Sequence, residues 1–142
     1  MAALAPARAA SNSVKILAER IAVSQQDEIA LAETWLKDRG HHPAHDMSGH
    51  SGHDTTMPGM LSAAQMAELA RATGAEFDRL FLAFMIQHHR GSLSMVSELF
   101  ATDGAAQDET VFRFASDVNV DQATEIARME QMLTTLAPRE SR

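Results

Sequence analysis

Apolar residues recur along three stretches of this chain at alternating steps of three and four, the spacing of a helix face packed in a bundle. The clearest line is Val111, Ala115, Val118, Gln122, Glu125, Met129, Met132 and Leu136. A matching line near the start is Val14, Ala18, Ile21, Gln25, Glu28, Ala32 and Trp35. The spacing predicts a long helix over about residues 13–37, stopped at Gly40, a second over about 76–101, and a third over about 109–136 ending before Pro138. Ser62 followed three residues later by Gln65 forms a capping box that opens a short helix ending near Gly74. "TDGAAQD" separates the last two long helices. The chain therefore reads as all-α, an antiparallel helical bundle of three main helices and one short one. It is one domain over residues 1–142, with a first unit at 13–37, a loop at 38–61 and a second unit at 62–136.

Composition narrows the classes of partner. The 142 residues suffice for one buried core, and 45% hydrophobic with 22% charged residues is ordinary for a folded domain. A formal net charge of −7 supplies no basic stripe for phosphates, which argues against nucleic acid. No run of about 18 apolar residues is present, so no membrane span is expected. "MAALAPARAA" lacks an apolar core of secretory length and is not an intact signal peptide. There is no cysteine, so soft-metal chemistry would have to rest on methionine sulfur.

The two helical lines share their polar interruptions. "LAERIAVSQQDEIALAETWL" (17–36) aligns without gaps to "FASDVNVDQATEIARMEQML" (114–133), matching Gln25 with Gln122 and Glu28 with Glu125. A carboxylate on a core-facing seam is costly unless it is paired or hydrogen-bonded. The same interruption on two helices points to a polar partner in the core. The competing account is that these side chains reach solvent at the edge of the bundle.

That partner is sought in "FMIQHHRGSLSM" (84–95). At about 100° per residue, Met85, His88, His89 and Ser92 share a face with Phe81, Val96 and Leu99. Met85 lies three residues before His88 and four before His89, so sulfur and imidazole can converge. Met95 stands about two turns from His88, nearer the flank, as a fourth donor. Gln122, Glu125, Gln25 and Glu28 would orient the rings from behind. The same groups would also serve as a buried hydrogen-bond network without metal, and the spacing does not separate the two. If a metal is held, thioether plus imidazole without thiolate suits copper as Cu(I) or Cu(II), and zinc could use the histidines alone. A di-iron carboxylate centre is disfavoured, because no glutamate lies three residues before a histidine.

A second set of donors lies in "HHPAHDMSGHSGHDTTMPGM" (41–60), which holds five of the seven histidines and three of the nine methionines. They are His41, His42, His45, Met47, His50, His53, Met57 and Met60. Glycines and Pro58 suit this loop to weak, exchangeable coordination. A solvated linker with incidental histidines is the plainer alternative.

Met85, His88, His89, Gly91 and Met95, followed by Gln122, Glu125 and Ile126, resemble the paired motifs M-x-x-H-H-x-G-A-x-x-M and Q-x-x-E-I of the domain-of-unknown-function 305 family. Ser92 stands where that family usually has alanine. The resemblance covers nearly the whole chain. It implies a ferritin-like helical bundle, mostly exported, with copper binding and copper tolerance outside the cytoplasm in some members. It also implies a His-His helix before each Gln-x-x-Glu helix, and here Met1 falls where the methionine after the first would stand. The chain is accordingly read as a fragment, or a product begun at an internal methionine, whose open first seam would be covered in a homodimer.

The leading expectation is a secreted or periplasmic metal-binding protein that sequesters or transfers copper. The alternative is a metal-independent helical interaction module. No nucleophile elbow, phosphate-binding loop or carboxylate pair indicates an enzymatic reaction.

Overall fold

The computed structural model describes residues 1–40, 57–105 and 107–136. A 3-10 turn (Ala2–Leu4) leads into α1 (Ala5–Arg8), followed by α2 (Asn12–Asp38), α3 (Ala63–Arg71), α4 (Gly74–Ala101) and α5 (Glu109–Leu136). Among the described residues there is no strand, only an isolated bridge between Ala9 and Gly74. The long helices start and stop within two residues of the positions that periodicity predicts. Gly40 ends α2 in the left-handed region (φ +75°), where its N–H reaches the Lys37 carbonyl at 3.0 Å. The Ser62–Gln65 capping box forms in both directions.

The N-terminal residues, which the hydrophobic pattern leaves without an element, form the 3-10 turn and α1 and dock against the core. A buried carboxylate explains how. Asp78 on α4 accepts from the N–H groups of Ala10 (3.1 Å) and Ser11 (2.8 Å), satisfying donors just ahead of α2. Arg8 adds a donor to the Ala72 carbonyl at 3.4 Å. The start of α2 is thereby fixed to the start of α4. At the far end Arg39 pairs with Asp108, the residue before α5, while its guanidinium lies 4.0 Å over the Trp35 ring. Hence α2 and α4 run in the same direction and α5 returns antiparallel to them.

The core is densest at the end where α2 and α4 begin. Val14, Leu17, Ala18 and Ile21 from α2 meet Phe77, Phe81, Leu82 and Met85 from α4, with Met129 from α5 and Leu69 from α3. Phe77 and Phe81 stack at 5.8 Å. Each large side chain so buried contributes about 1.5–3 kcal/mol of transfer free energy. Packing thins toward the opposite end. There Gln25, Glu28, Ala32 and Trp35 are only half-buried, and Leu31, Phe100 and Phe112 are exposed. A cavity of about 280 Å³ lies there among Leu31, Trp35, Leu99, Val111 and Phe114.

One close approach matters for the histidine helix. The backbone at Pro58–Gly59 crosses α4 so tightly that a Cβ on Gly91 would sit 2.0 Å from the Pro58 carbonyl oxygen. Gly59 adopts φ +77°, and a Cβ there would meet the Gln87 carbonyl at 2.6 Å. Neither position has room for a side chain, and Gly59 also needs the left-handed conformation. Gln87 reinforces the crossing by accepting from Gln65 at 2.9 Å and donating to the Met60 carbonyl at 3.4 Å. The end of the His/Met-rich stretch is thus clamped onto α4 beside His88.

Candidate metal centre

α4 presents its two adjacent histidines in different directions. His89 is fully buried (0% exposed) and points at α5, where its Nε2 lies 2.5 Å from Glu125 Oε2. His88, about 100° around the helix, is half-buried, and its ring centre lies 6.1 Å from that of His89. Burial lowers the His88 pKa, with further lowering from His89 and the amino group at Met1, so the ring is held toward its neutral form. The shared helical face predicted for the pair is therefore split into an inward ring and a flanking one.

The Glu125 contact determines what His89 can do. A short bond to a carboxylate places the proton of a neutral ring on Nε2 and leaves the Nδ1 lone pair bare. That Nδ1 is buried and has no hydrogen-bond partner among the described residues, and the same holds for Nδ1 of His88. An orphaned buried acceptor costs about 1–3 kcal/mol unless something occupies it. A carboxylate behind an imidazole with its other nitrogen free is also the arrangement that orients histidine for a metal.

The remaining predicted residues fall into three groups. Met85 (2% exposed) is buried one turn before His89. Gln122 (6% exposed) is buried on α5 one turn before Glu125, with no partner for its Oε1 among the described residues. Glu28 and Gln25 on α2 are half-buried, as their seam position predicts. Burial raises the Glu28 pKa, and the nearby carboxylates of Glu125 and Asp121 raise it further, against an opposing pull from His89. Met95 (39% exposed) stands about 10 Å along the helix axis from His88 at 1.5 Å per residue. Met57 and Met60 are exposed, with the Met60 backbone fastened to Gln87. His41, His42, His45, Met47, His50 and His53 lie outside the described residues. Among the described residues, no three His, Asp or Glu side chains are grouped to hold a metal ion without help from sulfur. No described helix is long and apolar enough to cross a membrane.

Comparison with known proteins identifies the family. The family described as domain of unknown function (DUF305) matches residues 1–133. The chain belongs to the DUF305 family. Its fold is similar to that of a DUF305 protein from Streptomyces coelicolor, described as a "putative secreted protein" (TM-score 0.78, 22% identity, covering 99% of this chain and 85% of that one). It is equally similar to a DUF305 fragment from Deinococcus radiodurans (TM-score 0.78, 30% identity, covering 94% of this chain and 83% of that one). No match was found among curated proteins.

Two features of this DUF305 site have no counterpart in the sequence reading. Gly91 stands in the sequence as a motif position, and the clamp it accommodates arises from a distant segment. Met129 was visible only as part of a seam, although it lies one turn after Glu125 just as Met85 lies one turn before His89.

The raised Glu28 pKa gives a signed prediction. The folded state favours protonated Glu28, so its ionisation weakens folding as pH rises above the ordinary glutamate range and has no effect well below it. Glu28→Gln is expected to raise the melting temperature modestly at pH 7 and to leave it unchanged near pH 3.5. Thermal denaturation at both pH values checks this. A loss of stability at pH 7 would show that the carboxylate is stabilising.

Proposed function

We propose that this DUF305 protein binds copper outside the cytoplasm and sequesters it or passes it on through histidine and methionine ligands. The observation that carries this reading is His89, a fully buried ring held at Nε2 by Glu125 while Nδ1 meets no partner among the described residues. A purely structural histidine has both nitrogens satisfied. With Met85 one turn away and no thiolate in the chain, the donor set suits copper, with zinc a harder and poorer match. Burial favours the unprotonated His88 ring, which keeps its lone pairs available without proton release. The 41–60 stretch is the collector in this reading, and its last residues are fastened to α4 beside His88. Export is supported by the description of the Streptomyces coelicolor neighbour.

The test is a competitive titration of Cu(I) and Cu(II) against a chelator on three proteins: the parent, a deletion of residues 41–60, and His88→Ala/His89→Ala. The parent is expected to bind both in the helix site and in the stretch, and each variant to lose part of that capacity. Absence of bound copper from all three, with metal analysis agreeing, would leave the metal-independent interaction module as the better account.

Self-association belongs to the same reading. The exposed Phe100 and Phe112 rings pack together at 5.5 Å as a projecting pair, and the 280 Å³ apolar cavity opens at the same end of the bundle. A knob and a hole on one surface suit a two-fold interface in which each copy fills the other. Light scattering at micromolar concentration is expected to give a dimer that Phe100→Ser/Phe112→Ser converts to monomer. A monodisperse parent monomer contradicts it.

A further inference from the structure

The antiparallel contact between α4 and α5 has a register, and it places a second methionine at the site. His89 faces Glu125, and further along the pair Phe100 faces Phe112. Each step back along α4 is therefore a step onward along α5. Four residues before His89 is Met85, and four residues after Glu125 is Met129. Both methionines are buried in the same cluster, at 2% and 0% exposure, one turn from the His89–Glu125 contact. Two thioethers and one bare imidazole nitrogen thus belong to adjacent layers of a single interhelical contact.

Resting on the copper reading, we infer that the buried centre is a Cu(I) site of two sulfurs and one nitrogen: Met85, Met129 and Nδ1 of His89. Glu125 acts as the positioning residue behind the ring. Three soft or borderline donors without oxygen match Cu(I), whereas Cu(II) and Zn(II) are better served by nitrogen and oxygen. Charge points the same way. A monovalent ion in this apolar layer is balanced by the Glu125 carboxylate through the ring, while a divalent ion leaves more charge to compensate in a poorly solvated place. Thioethers carry no proton, so binding at these two ligands is not opposed by acid. A cavity of about 380 Å³ lies one turn beyond His89, bounded by Glu28, Ser92, Met95 and Val96, on the side of the ring away from the two methionines. Met95 there is not a member of the inner set.

The protein with His41, His42, His45, His50 and His53 changed to Ser, and Met47, Met57 and Met60 to Leu, isolates the helix site. In that background Met129→Leu conserves volume and retains the fold. It is expected to weaken Cu(I) binding at least about tenfold, by analogy with the 10–100-fold cost of disturbing a metal site's supporting groups. Met132→Leu, one turn further along α5, is expected to leave the affinity unchanged. X-ray absorption on the Cu(I) form is expected to show two sulfurs and one nitrogen. Unchanged Cu(I) affinity in Met129→Leu, or a copper shell without sulfur, overturns the inference while the copper reading stands. Failure of the parent background to bind Cu(I) while the unmodified protein binds it also overturns the inference. Failure of both to bind overturns the copper reading itself.

Discussion

The contact between His89 and Glu125 is the constraint on which the rest of the site depends. It joins the two longest helices through a fully buried ring and a carboxylate that retains some access to water. A hydrogen bond to a charged acceptor is worth about 1.5–3 kcal/mol, and breaking one side of it would strand the other in a poor dielectric. The contact also settles the register of α4 on α5, and so decides which residues stand opposite one another in every neighbouring layer. Met85 and Met129 follow on one side, Ser92 and Gln122 on the other. The ring tautomer follows too, because a proton held on Nε2 leaves Nδ1 open. Structure and chemistry thus come from one interaction.

The two ends of the bundle differ in consequence. At one end Asp78 ties the N-terminal segment to α4, and aromatic and methionine side chains form the main buried cluster. At the other, Arg39 and Asp108 hold the helix ends together around cavities that side chains do not fill. Glu28 occupies on α2 the repeat position that Glu125 occupies on α5, yet burial and then the carboxylates of Glu125 and Asp121 raise its pKa, whereas Glu125 has found a histidine. The repeat is therefore symmetrical in sequence and asymmetrical in electrostatics. The open end carries a cavity that reaches Ser92, one turn from His89.

Much of this was legible before any coordinates. Three-and-four periodicity located the long helices because each buries one continuous face, and Gly40 and the Ser62–Gln65 box marked ends with a local mechanism. The polar breaks at Gln122 and Glu125 signal a demand for a core partner, and Glu125 meets His89, whereas Oε1 of Gln122 has no partner among the described residues. Adjacent histidines were harder. Residues one apart on a helix differ by about 100°, so only packing decides which is buried, and α5 selected His89. Asp78 reaches donors 67 and 68 residues away, and no local pattern encodes such a bond. The Gly59–Gly91 crossing and the Met85–Met129 layer likewise arise between distant segments, and become visible only once the register is known.

The most direct test of the account is the protonation state of His89 in the metal-free protein. Long-range proton–nitrogen correlation spectra of the imidazoles at neutral pH distinguish a protonated nitrogen from a bare one. The account predicts a His89 ring protonated at Nε2 alone, with a bare Nδ1 whose resonance moves on addition of Cu(I). A ring protonated at Nδ1 with a bare Nε2, or a Nδ1 signal indifferent to Cu(I), would contradict it.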